Sequence, residues 1–191
     1  MIHTERIARA IRFAIRTHEI FQKQKRKGKD IPYITHPLIV GLILAGVSAS
    51  EDTVIAGILH DTIEDSAPHK RVTKKILAER FGDVVAELVD SVTEQNKKLH
   101  WEDRKRAALN HIEHFSHNSL LVKSADIISN TTELIHDFKK DGEKTFERFN
   151  APKEKSLGHT LNAIKAILLA WEATPLAPDL RACADSLKSM I

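Results

Sequence analysis

An apolar run, Val54-Ile55-Ala56-Gly57-Ile58-Leu59, leads without a break into His60-Asp61-Thr62-Ile63-Glu64-Asp65, and this junction constrains the chain more than any other stretch. The run reads as a buried helix, so the polar residues behind it are carried inward with it. Helical spacing puts His60 over Glu64 and Asp61 over Asp65. Acids at the C-terminal end of a helix meet its partial negative charge. A buried carboxylate without a partner costs on the order of several kcal/mol. A cation has to offset them, and a bound divalent metal does so with imidazole and carboxylate as its ligands.

Composition narrows the setting. At 191 residues and 21.5 kDa the chain suits one domain spanning 1–191, large enough to bury a full core without disulfide or metal staples. A net charge of +3 fits an anionic small-molecule ligand and does not demand nucleic acid. Aromatic residues at 5% argue against a base-stacking surface. Cys183 is the single cysteine, which excludes an intrachain disulfide and fits a reducing, cytoplasmic compartment. No signal peptide is read: Arg6, Arg9, Arg12 and Arg16 faintly resemble a transit peptide, but Ile7, Ile11, Ala14 and Ile15 fall at core-helix spacing and Glu5 and Glu19 interrupt the bias. The apolar stretch from Ala163 to Trp171 contains Lys165 and is too short to cross a bilayer, so no membrane partner is expected. The pattern sets no oligomeric state.

Along the chain, a first helix runs from about Thr4, its cap, to Ile20, with His18 packed near its apolar stripe. The basic run Lys23-Gln24-Lys25-Arg26-Lys27-Gly28-Lys29 then precedes Pro32-Tyr33-Ile34-Thr35-His36-Pro37 by a few residues, so its cations can reach the cleft that His36 faces. Pro37 opens a helix ending near Gly46, and Ser50 caps the next, which carries the opening motif until Ser66-Ala67-Pro68 breaks it. Short helices follow over Thr73–Arg80 and Val84–Val92, the second with Val84, Val85, Leu88 and Val92 inward. A polar connection covers Glu94 to His100, and Trp101 to Phe115 reads as a helix with a wet, histidine-rich end at His111, His114 and His117. In Leu120-Leu121-Val122-Lys123-Ser124-Ala125-Asp126-Ile127-Ile128-Ser129-Asn130, the residues Lys123, Asp126 and Asn130 share one face at i, i+3 and i+7, which suits a ligand carboxylate flanked by a cation and an amide. Asp141-Gly142 turns the chain, Phe146–Asn150 is a short piece, and Lys153–Trp171 is a long helix with Leu157, Leu161, Ile164 and Leu168 on one face. Thr174–Pro178 links to a last helix. Period-two strand patterning is absent, so the expected fold is all-α, roughly eight to ten helices round one core.

Four groups from three helices are therefore candidate ligands: His36, His60, Asp61 and Asp126. Two imidazoles and two carboxylates leave room for water and favour borderline metals such as Mn, Fe, Co or Zn. The order H…HD…D, set in Leu59-His60-Asp61-Thr62-Ile63-Glu64-Asp65, Pro32-Tyr33-Ile34-Thr35-His36-Pro37 and Lys123-Ser124-Ala125-Asp126-Ile127-Ile128-Ser129-Asn130, resembles the HD-domain metal-dependent phosphohydrolases. The fuller set resembles the hydrolase domain of RelA/SpoT homologues, in particular the free-standing small alarmone hydrolases. Arg26-Lys27, Phe81-Gly82 and Leu88-Val89-Asp90-Ser91-Val92-Thr93 extend the likeness over a motif core of about Ile7 to Asn130, with C-terminal helices over 143–191 expected to pack on it.

That resemblance implies a helical HD-domain bundle in which His36, His60, Asp61 and Asp126 hold one divalent ion, manganese in the family. Glu64 and Asp65 then assist the chemistry, and Arg26, Lys27, Lys123 and Asn130 are substrate contacts. The implied reaction is removal of pyrophosphate from the 3′ position of guanosine tetra- or pentaphosphate. The metal would activate water, with Glu64 accepting or relaying its proton and Asp65 orienting it or a metal ligand. An alternative is the same centre acting on another nucleotide or dinucleotide phosphate ester. The chain departs from the family pattern at Thr132, where an arginine is common, and at Glu133 and His136; its basic loop is one residue longer, and no synthetase domain follows.

Overall fold

Thr4 starts the first helix by accepting a hydrogen bond from the Ile7 amide, which satisfies one of the donors a helix N-terminus leaves free. In the computed structural model, which describes residues 4–94 and 100–191, this helix is α1 (Glu5–Ile15). It widens into a π-helical turn, Arg16–Phe21, that buries Thr17 and His18. Then follow α2 (Thr35–Gly46), α3 (Glu51–Leu59), α4 (Lys74–Phe81), α5 (Asp83–Val92), α6 (Trp101–Ile112), α7 (His117–Asp141), α8 (Lys153–Ala170) and α9 (Ala177–Lys188). A 3₁₀ segment, Gly142–Arg148, joins α7 to α8. Among the described residues there are nine α-helices and no strand, the all-α architecture that the patterning predicts. None of them is long and apolar enough to cross a membrane.

Helix α3 is the centre of the molecule, and every residue from Thr53 to Leu59 is buried. Ser50 caps it by accepting from the Thr53 amide, and α1, α2, α5 and α7 surround it. Two glycines let α2 and α3 approach closely. A Cβ on Gly41 would stand 2.6 Å from Ile58 Cγ1, and one on Gly57 would overlap Leu44 Cδ1. This close crossing brings the N-terminus of α2, with His36, beside the C-terminus of α3, with His60. On the far side α7 lies against α2, α3 and α5, and α9 packs on α7 and α8.

Several sequence expectations shift. Helix α3 stops at Leu59 instead of running to Ser66, and the chain from His60 to Asp65 is a set of turns, with the Thr62 amide bonded to Leu59 O at 2.9 Å and the Asp65 amide to Asp61 O at 2.9 Å. Val84 is 56% exposed and Val89 takes the core position expected of it. The buried stripe of α5 is Val85, Ala86, Leu88 and Val89, and with consecutive residues about 100° apart Val84 falls on its solvent side. Ile15 is likewise at the surface, while Ala10 fills the core of α1. The segment from Leu120 to Asn130 is the middle of one 25-residue helix. The connection expected over 94–100 falls mostly outside the described residues.

Candidate metal centre and substrate cleft

Three elements deliver the site. His36 sits in the first turn of α2, His60 ends α3, and Asp126 lies midway along α7. One ligand atom from each lies within 4.8 Å of the other two. Both imidazoles are nearly sealed from solvent. Each is fixed through its far nitrogen: His36 Nδ1 pairs with Ser129 Oγ at 2.9 Å and His60 Nδ1 donates to Gly57 O at 2.8 Å. The Gly57 carbonyl can only accept, so His60 Nδ1 carries a proton, and both rings are held with Nε2 facing the shared point, the arrangement of metal-ligating histidines. His60 Nε2 is buried and has no hydrogen-bond partner there. A buried ring nitrogen in that condition fits a metal ion.

Asp61 is close but differently held. Its Oδ2 lies 3.0 Å from His60 Nε2, without hydrogen-bond alignment, and 3.8 Å from His36 Nε2, while the Tyr33 hydroxyl donates to the same oxygen. It stands outside the mutual cluster of His36, His60 and Asp126. Asp126 is gripped from both sides on its own helix: Lys123 Nζ donates to Oδ2 at 2.8 Å and Asn130 Nδ2 to Oδ1 at 2.6 Å, which is the face of α7 that the sequence spacing predicts.

The electrostatics follow from this crowding. Burial opposes a charge on His60, but Asp61 and then Asp126 push it up to about 9. Burial also opposes the Asp126 charge, and Lys123 with the two imidazoles holds that carboxyl well below its usual range. Asp61 is lowered for the same reason, by His60 first and then His36. Concentrated negative charge at a point faced by two imidazole Nε2 atoms suits a divalent cation, which would displace the proton that His60 holds without it.

The acidic pair beyond the HD dipeptide has definite neighbours. Glu64 Oε2 accepts from the Glu94 amide at 3.2 Å and lines a cavity of about 270 Å³ together with His60, Asp61 and Asp126. Asp65 Oδ2 accepts from Gln24 Nε2 at 2.9 Å. A second cavity, about 460 Å³, opens on the other side of Asp126 under the basic loop, with Arg26, Lys27 and Asn130 in its wall. Lys105, Lys123 and His159 border both.

The proposed substrate contacts are placed on this second cavity, though Arg26 is not idle. Its Nη2 donates to Asn130 Oδ1 at 2.7 Å, its Nε to Glu133 Oε2 at 2.9 Å, and its guanidinium lies over the Tyr33 ring. Lys29 bridges Glu133 and Asp137, and Arg148 also reaches Asp137, at 2.6 Å. Lys27 lies over the Phe149 ring. Sequence reasoning missed several residues here: Tyr33 and Gln24 as donors to the acids, Ser129 behind His36, and Lys105, Arg148 and His159 in the cleft. Burial, followed by the nearby Lys105 and Lys123 charges, pushes His159 down to about 4, so a neutral imidazole faces the cleft. Tyr33 and Ser129 were within reach, because each adjoins a motif residue. His159 carries no local signal. His111 at the end of α6, His114 in the turn after it and His117 at the start of α7 are exposed, with His117 stacked on Trp171 at 4.1 Å.

Comparison with known proteins agrees with this geometry. The family model described as HD domain matches residues 10–149. A guanosine-3′,5′-bis(diphosphate) 3′-pyrophosphohydrolase of Aquifex aeolicus is 45% identical over 95 residues, 50% of this chain, and the match spans only 12% of that protein. The guanosine-3′,5′-bis(diphosphate) 3′-pyrophosphohydrolase MESH1 of Xenopus tropicalis is 35% identical over 130 residues, covering 67% of this chain and 69% of that one. Among solved structures, one described as a metazoan ortholog of SpoT superimposes with a TM-score of 0.76 at 20% identity, covering 98% of this chain and 96% of the other, which shows a shared fold.

Proposed function

Because the chain belongs to the HD-domain family, we propose that it is a metal-dependent 3′-pyrophosphohydrolase of guanosine tetra- and pentaphosphate, with Mn²⁺ as the ion and the cytosol as its setting. The observation that carries this reading is the convergence of the His36 and His60 Nε2 atoms on Asp126, each ring being oriented by a hydrogen bond at its other nitrogen. The two sequence relatives named above carry that activity in their names, and the MESH1 relative matches over 69% of its own length. All 191 residues are read as one hydrolase domain, with α8 walling the cleft and α9 packed behind α7 and α8.

His36, His60, Asp61 and Asp126 would hold the ion, Asp61 by releasing its contact to His60. A divalent ion bound there supplies Lewis acidity toward a phosphate oxygen and acidifies water. Glu64 borders the same space with its carboxylate anchored by the Glu94 amide, and is assigned to accept the proton of the attacking water. Asp65, held by Gln24, orients that water or a ligand. Lys123 and the basic loop face the negative charge that builds on the departing pyrophosphate. Lys27, Arg26 and Asn130 are placed to hold the nucleotide beside it.

Purified protein incubated with a nucleotide panel in Mn²⁺ or EDTA, with products resolved, tests this reading. Pyrophosphate released from guanosine tetraphosphate only in Mn²⁺ is the expected result. One observation favours a second reading, in which another nucleotide or dinucleotide phosphate ester is the substrate: Glu133 neutralises Arg26 and Lys29 where the cleft meets a nucleotide. Release of orthophosphate in place of pyrophosphate would identify that case.

A further inference from the structure

The acids of the turn after α3 are held from behind by neutral donors, and both donors rest on one buried histidine. Gln24 Nε2 donates to Asp65 Oδ2 at 2.9 Å, and the Tyr33 hydroxyl donates to Asp61 Oδ2. A carboxylate accepts only, so the nitrogen end of the Gln24 amide faces Asp65 and its oxygen faces the other way. That oxygen lies 2.9 Å from His18 Nδ1, which must therefore carry the ring proton. The His18 ring also packs on Tyr33, with centroids 5.0 Å apart. His18 Nε2 is left buried with no hydrogen-bond partner, and the residue is 0% exposed. An orphaned buried ring nitrogen is a cost that an apolar side chain of the same shape would avoid.

The main chain pins the same assembly. The Gln24 amide donates to His18 O at 2.8 Å and the Tyr33 amide to Gln24 O at 2.9 Å, and Lys23 between them adopts a left-handed φ of 49°. Gln24 is thus tied at its amide, its carbonyl and both ends of its side chain.

We infer that Gln24 is a positioning residue for Asp65 and that His18 fixes the orientation of the Gln24 amide. The inference rests on the proposed role of Asp65. A lysine or arginine at position 24 would also bind the carboxylate but would cancel its charge beside the reacting water; an amide orients it and leaves the charge in place. The same holds for the tyrosine hydroxyl at Asp61. His18 itself lines neither cavity, so its effect on the reaction passes through the two residues it touches, Gln24 first and Tyr33 beside it.

Kinetics of guanosine tetraphosphate hydrolysis in Mn²⁺, with metal content and thermal melts recorded for every variant, test this. Gln24→Leu should lower kcat at least tenfold, with KM within twofold, full metal content and a melt close to that of the parent. His18→Leu should do the same. His18→Asn, whose amide nitrogen can take the place of Nδ1, should recover most of the loss, which a purely space-filling role would not produce. Gln24→Leu should add nothing to Asp65→Asn yet multiply with Glu64→Gln. If Asp65→Asn lowers the rate and Gln24→Leu does not, the positioning role is wrong although the reading of Asp65 stands. If Asp65→Asn keeps the full rate, the reading of Asp65 fails and takes this inference with it. Should a variant melt early, a crystal structure of Gln24→Met decides: an Asp65 side chain unmoved from its parent rotamer overturns the proposal.

Discussion

Gly57 and His60 are joined by a 2.8 Å hydrogen bond from the imidazole Nδ1 to the carbonyl oxygen, so one residue of α3 both admits the neighbouring helix and aims a ligand. The carbonyl is one of those that a helix C-terminus leaves without an amide partner. The missing Cβ lets Leu44 of α2 lie against the backbone. Gly57→Ala should therefore cost about 1–3 kcal/mol, the usual range for overpacking a filled core. A fall in melting temperature, together with weaker metal retention because α2 and α3 can no longer hold His36 and His60 at the same spacing, is the expected pair of measurements. An unchanged melt would show that the two helices have slack.

Asp126→Ala should abolish both metal retention and turnover. Its two oxygens carry Lys123, Asn130 and the space shared with the imidazoles, and no neighbouring acid on α7 can replace it. Metal analysis after gel filtration and an activity assay read the two effects separately, and full activity would remove the residue from the ligand set.

Glu64→Gln should keep the metal and lose most of the rate, by about 10²–10⁴-fold as expected of a general base. The amide keeps the shape and accepts no proton. Single-turnover kinetics with metal content measured on the same sample checks it; a loss of metal would instead make Glu64 a ligand or a support for one.

Arg26→Ala should mainly raise KM, since the guanidinium borders the cleft and touches none of the proposed ligands directly. Glu133→Gln should do the reverse. Removing the charge that competes for Arg26 and Lys29 frees both for a substrate phosphate, so KM should fall. Steady-state kinetics of the two variants distinguishes this from a merely structural ion pair, for which both would shift KM the same way or not at all.

The same network sets an acid limit on stability. Burial opposes charge on Glu133 and Asp137 and is the largest single influence, but Lys29 and Arg26 together outweigh it at Glu133 and Lys29 and Arg148 together at Asp137, so both folded-state carboxyl pKa values are lowered. A carboxyl with a depressed folded pKa gives stability that is present above its unfolded value, about 4, and is lost as pH falls through the lower folded value. Thermal melts should therefore drop steadily below about pH 4, and less steeply in Glu133→Gln. A melting temperature as pH-dependent in the variant as in the parent would place the acid sensitivity elsewhere.

Local rules were enough for the elements and for proposing a ligand set. Caps at Thr4 and Ser50, the run from Val54 to Leu59, and the i, i+3, i+7 spacing of Lys123, Asp126 and Asn130 are read from hydrogen-bonding valence and helical period, which act within a few residues. The same rules misplaced the end of α3. An unbroken helix satisfied the pattern from His60 to Asp65 as well as the turns do, and only the packing of Tyr33 and Gln24 against Asp61 and Asp65 selects between them.

What the amino-acid order determined by itself was the helical class and the imidazoles and carboxylates proposed to hold a metal. Tertiary structure alone decided that Asp61 reaches both imidazoles yet stays out of their mutual cluster with Asp126, that Arg26 is paired with Glu133 across 107 positions, and that His18 backs the acids from the opposite side. Periodicity is a property of neighbours along the chain, whereas the state of a charge or a lone pair depends on whatever the folded chain sets within about 3–4 Å of it. That neighbour can come from any part of the sequence.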